Sequence, residues 1–559
     1  MRSGRAVSSR KAYRRPPDGN LFPPLGFAVA CGRWRRALSP APGNVARFVA
    51  KGTGNAKQSC HELGNREGPP FSGASGFAVG AIVKSPLFFS LTALTLLIAL
   101  TVGGATRQGL GSDAIPELVS LPLLAMALPR AWPSLKGSRS ALALAIGVVA
   151  LPCLQLVPLP FWLWSLLPGH QSIVDILATA GAPPSWRPIS LIPGATERAF
   201  LSLLPGLAIF LSVLSLDRNA RRLLLLLAVA IGVLSALIAM VQVLGGLDSG
   251  LYFFDITNVG RGVGFFANAN HFAAFEYVLL PIAAAALSEI QIRSLAYSLA
   301  VFGLVVPALL FGLALSGSRS AIILGAVSIL ATIPLILGRE IARWGRRRTL
   351  WLVAFLALAL IPLMGGLGLM AIFTRFATQD VAEDARWIIA AETWRAILSF
   401  APFGGGVGTF PRVYPLHESA AALIPQLVNR AHDDLLETLF EGGLASLALL
   451  LAFLCWFFVV ARRALLGNLE VAGSQARAGV IAIALLLVHS LWDYPLRTIA
   501  LETLFALCVA LQFAPPPASE DHRGAWWLRL VRKKSGRKRR RRSRGSAKPL
   551  QEPAVRAVQ

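Results

Sequence analysis

Several short segments in this 559-residue chain bring together residue types that can do chemistry. In Ala431-His432-Asp433-Asp434, followed by LLETLFEGG, an imidazole stands beside carboxylates able to orient its ring. A histidine so placed can take a proton from a hydroxyl near neutral pH, although a surface histidine with satisfied hydrogen bonds has the same sequence. Arg319 lies in SGSRSA and Arg386 in DARWIIAAETWRAI, where Arg395 competes for the same role. A guanidinium group suits phosphate oxygens, while a snorkelling or solvated arginine is the plainer alternative. In GRGVGFFANANHFAAF, Arg261, Asn268, Asn270 and His271 precede an apolar run. The amide and imidazole groups there can hydrogen-bond sugar hydroxyls or cap the helix, and capping is the role expected of Asn270. His489 and Asp493 in HSLWDYPL read as a structural intramembrane hydrogen bond.

The elements needed to position these groups are partly legible. Asp433 can cap a short helix whose Leu435, Leu436, Leu439 and Phe440 face the membrane surface, with Gly442 and Gly443 ending it. Trp387, Ile388, Ala391 and Trp394 fall on one side of an amphipathic helix. Gly404, Gly405, Gly406 and Gly408 form a turn where backbone can approach a ligand closely. That turn has no GK[ST] and is no nucleotide loop.

Composition fixes the setting. Apolar residues make up 55% of the chain and charged ones only 15%, with a mean hydropathy of +0.60. A soluble protein of this length would be about a quarter charged. The net charge of +26 is concentrated at the ends: residues 1–85 hold 14 Lys/Arg against 3 Asp/Glu, and residues 521–559 hold 14 against 2. A basic nucleic-acid-binding fold is thereby excluded, because the body is nearly neutral. Residues 1–80 lack a sustained apolar period and read as disordered. They also read as an upstream extension, and since no Met lies between Met1 and Met126 a later start would need an alternative codon. Arg537–Arg544 reads as an anchor against anionic lipid rather than a nucleic-acid site. The five cysteines are scattered without a CxxC pair, so neither a disulfide framework nor a zinc site is expected.

Apolar runs long enough to span a bilayer fall at about 86–105, 114–129, 141–159, 199–216, 223–244, 272–289, 297–315, 320–338, 350–373, 444–461, 478–492 and 498–514. The short loops on one side carry Arg130, Lys136 and Arg139, then Arg218, Arg221 and Arg222, then Arg293, the Arg339–Arg348 cluster, and Arg462, Arg463 and Arg477. Those on the other side carry Arg107, Arg261, Arg319 and Arg497. The bias places both termini in the cytoplasm. The expected fold is therefore all-α: a polytopic membrane protein of about twelve transmembrane helices, with a large outer loop between spans nine and ten. The expected organisation is a basic tail (1–85), a transmembrane domain (86–515) containing the outer loop 374–443, and a basic tail (516–559). A second long outer segment covers about 160–198, and loops of this size commonly carry function.

Taken together, these segments resemble the O-antigen ligase and polymerase superfamily of bacterial envelope glycosyltransferases. FANANHFAAF is similar to its F-x-N-x-N-H-x-A segment, LALSGSRSA to its T/S-G-S-R element, and RWIIAAETWRAILSFAPFGGGVGTF to its R-x-x-x-W…P-x-G-x-G-x-G-x-F stretch. His432, Asp433, residues 434–442 and Gly443 approach the ligase pattern His-[Asn/Ser/Gln]-x9-Gly-x-x-[Gly/Thr/Tyr], and HSLWDYPL resembles H-S-x-x-D-x-P-L. The likeness covers roughly 260–500. It departs at Asp433, where Asn is typical, and at Ser446, where Gly, Thr or Tyr is usual.

The resemblance implies an inverting, metal-independent and cofactor-free glycosyl transfer on the periplasmic side of a bacterial inner membrane. The implied donor is an undecaprenyl-diphosphate-linked glycan, and the acceptor a glycan, lipid A-core or protein; the remaining partner is membrane lipid, with no nucleic acid. Transferred residue by residue, it makes His432 the catalytic base, Arg319 and Arg386 the diphosphate partners, and Asn268, Asn270, His271 and Asp433 the acceptor or sugar contacts. Glu418, Glu437 and Glu441 are alternatives for the base. A polysaccharide polymerase and a protein O-glycosyltransferase share the same module. A bicarbonate or other small-anion transporter is the rival of another class, and Glu117, Glu276 and Glu502 would be its intramembrane ionisable residues.

Overall fold

The computed structural model describes residues 85–106, 111–289, 295–320, 322–335, 381–420, 428–466 and 473–513. Both basic tails, the Arg339–Arg348 cluster and the ninth expected span (350–373) lie outside the described residues. The remaining eleven expected spans coincide with apolar helices. These are α1 (Pro86–Val102), α2 (Gly111–Gly137), α3 (Arg139–Gln155), α4 (Pro193–Ser215), α5 (Arg218–Gly245), α6 (Ala269–Ser288), α7 (Leu295–Ser316), α8 (Ile322–Leu335), α10 (Asp434–Leu466), α11 (Ser474–His489) and α12 (Ile499–Ala510). The amphipathic helix expected near Arg386 is α9 (Val381–Phe400). By length and composition, α2, α4, α5, α6 and α10 can each cross a membrane.

Helices dominate because hydrocarbon offers backbone groups no external partner. Their starts carry the residues that satisfy free N–H groups. Asp217 accepts from Ala220 N at 2.8 Å to begin α5, and Asn268 accepts from Asn270 N at 2.8 Å to begin α6. The second helix extends well past the expected 114–129 despite Pro116, Pro122, Pro129 and Pro133 inside it. Neighbouring helices make such prolines tolerable. α6 is the axis of the bundle, with 94% of its apolar window buried. It packs against α5, α7 and α11, and its run of small residues (AAAALS) allows close approach. α10 is the opposite case, at 6%.

α10 begins ten residues before the expected span and breaks at Gly443, whose φ of 57° and ψ of −147° are not helical. The expected short helix after His432 therefore exists, ends where anticipated, and runs directly into the membrane segment. The 158–192 segment forms a two-residue antiparallel ladder, with Pro158 opposite Pro188 and Leu159 opposite Arg187. Trp164 packs beneath it and donates Nε1 to Pro188 O at 2.8 Å. His170 contacts the carbonyls of Pro168 and Ile189, both at 3.1 Å.

Candidate active site

The break in α10 and the glycine turn after α9 are interlocked. Gly405 N donates to Phe440 O (2.9 Å), Gly406 N to Glu441 O (2.8 Å), and Leu444 N to Pro402 O (2.8 Å). A Cβ on Gly443 would lie 2.1 Å from Pro402 O, and one on Gly404 2.5 Å from Glu441 O. The turn was expected to let backbone approach a ligand; the backbone it approaches is that of α10. Gln155 at the end of α3 clamps the same junction, donating Nε2 to Glu441 O and accepting from Val407 N, each at 2.9 Å. Phe440, expected at the membrane surface, is fully buried between Phe400 and Phe410, at ring-centroid distances of 5.4 and 5.2 Å. Aromatic packing outweighs interfacial exposure at this position. On α9 the expected exposed face does form, with Trp387 and Trp394 outward while Ile389, Ala396, Ile397 and Phe400 join the small core beneath.

This cap presents His432. Asp433 accepts from Leu435 N and Leu436 N at 2.8 and 3.1 Å, starting α10 as expected. His432 immediately before it adopts φ 54°, a left-handed conformation uncommon outside glycine and often associated with functional sites. Its ring is 27% exposed, and Nδ1 faces Asp493 Oδ1 at 3.9 Å.

Asp493 is the hub. His271 Nε2 lies 3.8 Å from Oδ1, and His489 Nε2 lies 3.6 Å from Oδ2. These separations are too long for hydrogen bonds. The hydrogen bonds come from Asn270 Nδ2 to Oδ2 at 2.8 Å and Tyr494 N to Oδ1 at 2.9 Å. Asn270 thus serves Asp493, and the capping role expected of it belongs to Asn268: Asn268 is the N-cap residue, which leaves the Asn270 side chain free to cross to the α11–α12 loop. Tyr494 sits between two imidazoles, edge-on to His271 at 4.8 Å and to His432 at 5.1 Å. The structural hydrogen bond of His489 is made to Tyr277, whose OH lies 2.6 Å from Nδ1, rather than to Asp493 as expected.

Electrostatics divide the site in two. Burial lowers the basicity of His432; Asp493 opposes that, and the Arg386 guanidinium reinforces it. The imidazole is therefore neutral near pH 7. Burial works against a charged Asp493, but His271 and His489 outweigh it and hold the carboxyl well below its ordinary range. Arg386 is thus close enough to act on His432, whereas Arg395 is mostly exposed and pairs with Glu392 at 3.0 Å. Of the two arginines, Arg386 is the one whose charge reaches His432. Arg319 is helical and follows the turn at Gly317; because α7 runs back along α6, it stands at the same end of the bundle as His271.

The second half is an ion network that sequence reasoning missed. Arg497 donates Nε to Asp434 Oδ1 (3.0 Å), Nη1 to Glu441 Oε2 (2.6 Å) and Nη2 to Thr438 Oγ1 (3.1 Å). Arg430, fully buried, donates Nη1 to Glu437 Oε1 at 2.7 Å. Glu437 and Glu441, two of the alternatives for the base, are thus each paired with an arginine. Burial opposes the Arg497 charge, but Glu441, Glu437 and Asp434 more than restore it. Arg430 stands two residues before His432, and Arg497 follows HSLWDYPL directly. Proximity to those motifs was the available signal. Among the described residues no group of three or more His, Cys, Asp or Glu is arranged to hold a metal ion.

Residues 303–451, a little over a quarter of the chain, match the family model for the O-antigen ligase domain (Wzy_C). The match supports the superfamily that the motifs resemble, and the apolar helices suit a multi-pass membrane protein. It includes Arg319, Arg386 and His432; Asn268, Asn270 and His271 lie before it and Asp493 beyond it. The chain matches none of the curated proteins compared with it.

Proposed function

We propose that this protein transfers a glycan from an undecaprenyl-diphosphate carrier to an acceptor hydroxyl in the building of cell-envelope polysaccharide. It does so on the periplasmic face of the bacterial inner membrane, with both termini in the cytoplasm. The observation that carries this reading is His432: a partly exposed imidazole, kept neutral by burial and Arg386, with Nδ1 turned to the Asp493 carboxylate.

With the carboxylate facing Nδ1 and favouring a proton there, Nε2 is the nitrogen left to receive the acceptor's hydrogen. The acceptor oxygen attacks the anomeric carbon while Nε2 takes its hydrogen, and the bond from that carbon to the diphosphate oxygen breaks. Asp493 then faces an imidazolium and stabilises it. The departing diphosphate gathers negative charge, which Arg386 and Arg319 neutralise without a cation. Attack opposite the leaving group inverts the anomeric centre. Asn268, Asn270 and Asp433 border the acceptor side, and their use as caps and orienting groups limits them to their remaining polar atoms. Transfer from a lipid-linked donor by full-length protein in membranes tests the proposal, and undiminished transfer by a His432→Asn variant would contradict it.

A small-anion transporter is favoured by one observation. Glu276 is fully buried in α6, and neither of its carboxylate oxygens has a hydrogen-bond partner among the described residues. Uptake into vesicles that survives His432→Asn but not Glu276→Gln would select that alternative.

A further inference from the structure

The end of the bundle away from His432 holds a second charged cluster that glycan transfer does not use. α5 begins, α6 ends and α11 begins there, so antiparallel packing gathers residues far apart in sequence. Glu289, just past α6, accepts from Arg218 Nε and Nη2 (3.3 and 3.0 Å), from Gln475 Nε2 (2.9 Å) and from Ser474 Oγ. Its backbone carbonyl accepts from Arg222 Nη1 at 3.0 Å. That carboxylate is fully engaged. Asp217 is exposed and turns Oδ1 to the first turn of α5.

Arg221 is left over. It is 5% exposed, and its Nε and Nη1 have no hydrogen-bond partner among the described residues; Arg222 Nε is in the same state. Buried guanidinium donors without acceptors are rare in folded proteins because each forfeits its hydration. Arg218, Asp217 and Glu289 are the charges acting on Arg221. Among the described residues, three guanidinium groups thus face two carboxylates, at the N-terminal end of α5 where the helix dipole also favours an anion.

We propose that Arg221 and Arg222, with the first turn of α5, bind a phosphate group. The planar guanidinium fork matches phosphate oxygens, and the ends of membrane helices stand at the level of lipid headgroups. The phosphate belongs to an anionic phospholipid or is free in solution. The site is independent of the transfer chemistry, so its failure and the failure of that reading are separate results.

The test is thermal unfolding of the full-length protein in neutral detergent, with added phosphatidylglycerol, phosphatidylcholine or inorganic phosphate, on the wild type and on Arg221→Gln and Arg221→Lys. A ligand that binds only the folded state raises the unfolding midpoint. Phosphatidylglycerol should raise that of the wild type by several degrees, phosphatidylcholine should not, and Arg221→Gln should lose at least half the shift, with Arg221→Lys between. A shift by inorganic phosphate alone that Arg221→Gln also loses keeps the site and makes free phosphate its ligand. Equal phosphatidylglycerol shifts in wild type and Arg221→Gln, equal shifts from both lipids, or no shift from any probe would overturn the proposal. Should Arg221→Gln not fold, native mass spectrometry of the wild type decides: phosphatidylglycerol must be retained through detergent exchange where phosphatidylcholine is lost, and equal loss refutes the site.

Discussion

His432 Nδ1 and Asp493 Oδ1 face each other at 3.9 Å across the gap between the start of α10 and the end of α11. The pair joins the start of α10 to the bundle axis, because Asp493 is also bonded to Asn270 at the start of α6. Whatever moves one of these three elements moves the proposed base.

Replacing His432 by Asn should lower transfer by about 10²- to 10⁴-fold, the range that positioned acid–base catalysis supplies. Asn tolerates the left-handed backbone at this position, so expression and thermal stability should stay near wild type. The readout is glycan transfer from a lipid-linked donor, alongside the unfolding midpoint of the same preparation.

Transfer needs a neutral His432 and should fall as pH drops, with its midpoint below the ordinary histidine value of about 6.5. Arg386 lowers that basicity and Asp493 raises it. In Arg386→Gln the acidic limb should move to higher pH, and in Asp493→Asn to lower pH, whatever happens to the maximal rate. pH–rate profiles of the three proteins check both signs.

Arg497→Met should destabilise the protein by about 3–5 kcal/mol, the usual cost of removing one partner from a buried ion pair. Asp434 and Glu441 lose their guanidinium partner, and Glu437 keeps only Arg430. Chemical or thermal unfolding in detergent measures the loss, and transfer should fall with it because the network fixes the turn carrying His432.

Gly443→Ala should cost at least about 1–3 kcal/mol from backbone conformation alone, and more from the contact with Pro402 O. Gly303→Ala, where an added Cβ meets nothing, should be near neutral and serves as the control. Unfolding midpoints of the two variants make the comparison.

Much of this was legible before folding. Apolar runs and charged loops gave the helices, since span length and backbone satisfaction leave few alternatives, and Asp433 and Gly443 marked the short helix by residue type alone. The partnership of Asn270 with Asp493 was not legible: it joins residues more than two hundred positions apart, and a local capping rule favoured the wrong assignment. Arg430 and Arg497 were missed for a related reason. An arginine in an outer loop looks solvated until the carboxylates of another helix are placed around it. The glycine turn was recognised as a close-approach device, but its partner, the α10 backbone, is set by tertiary packing.

The break at Gly443 has a mechanical consequence. Beyond it, α10 buries few of its residues at the rim of the bundle, while α6 is enclosed by protein. Changes in bilayer thickness tilt or bend rim helices first, and a non-helical residue between the two parts of α10 keeps that tilt from levering the turn that carries His432. The site is thereby anchored to the protein interior and shielded from the elasticity of the lipid around it.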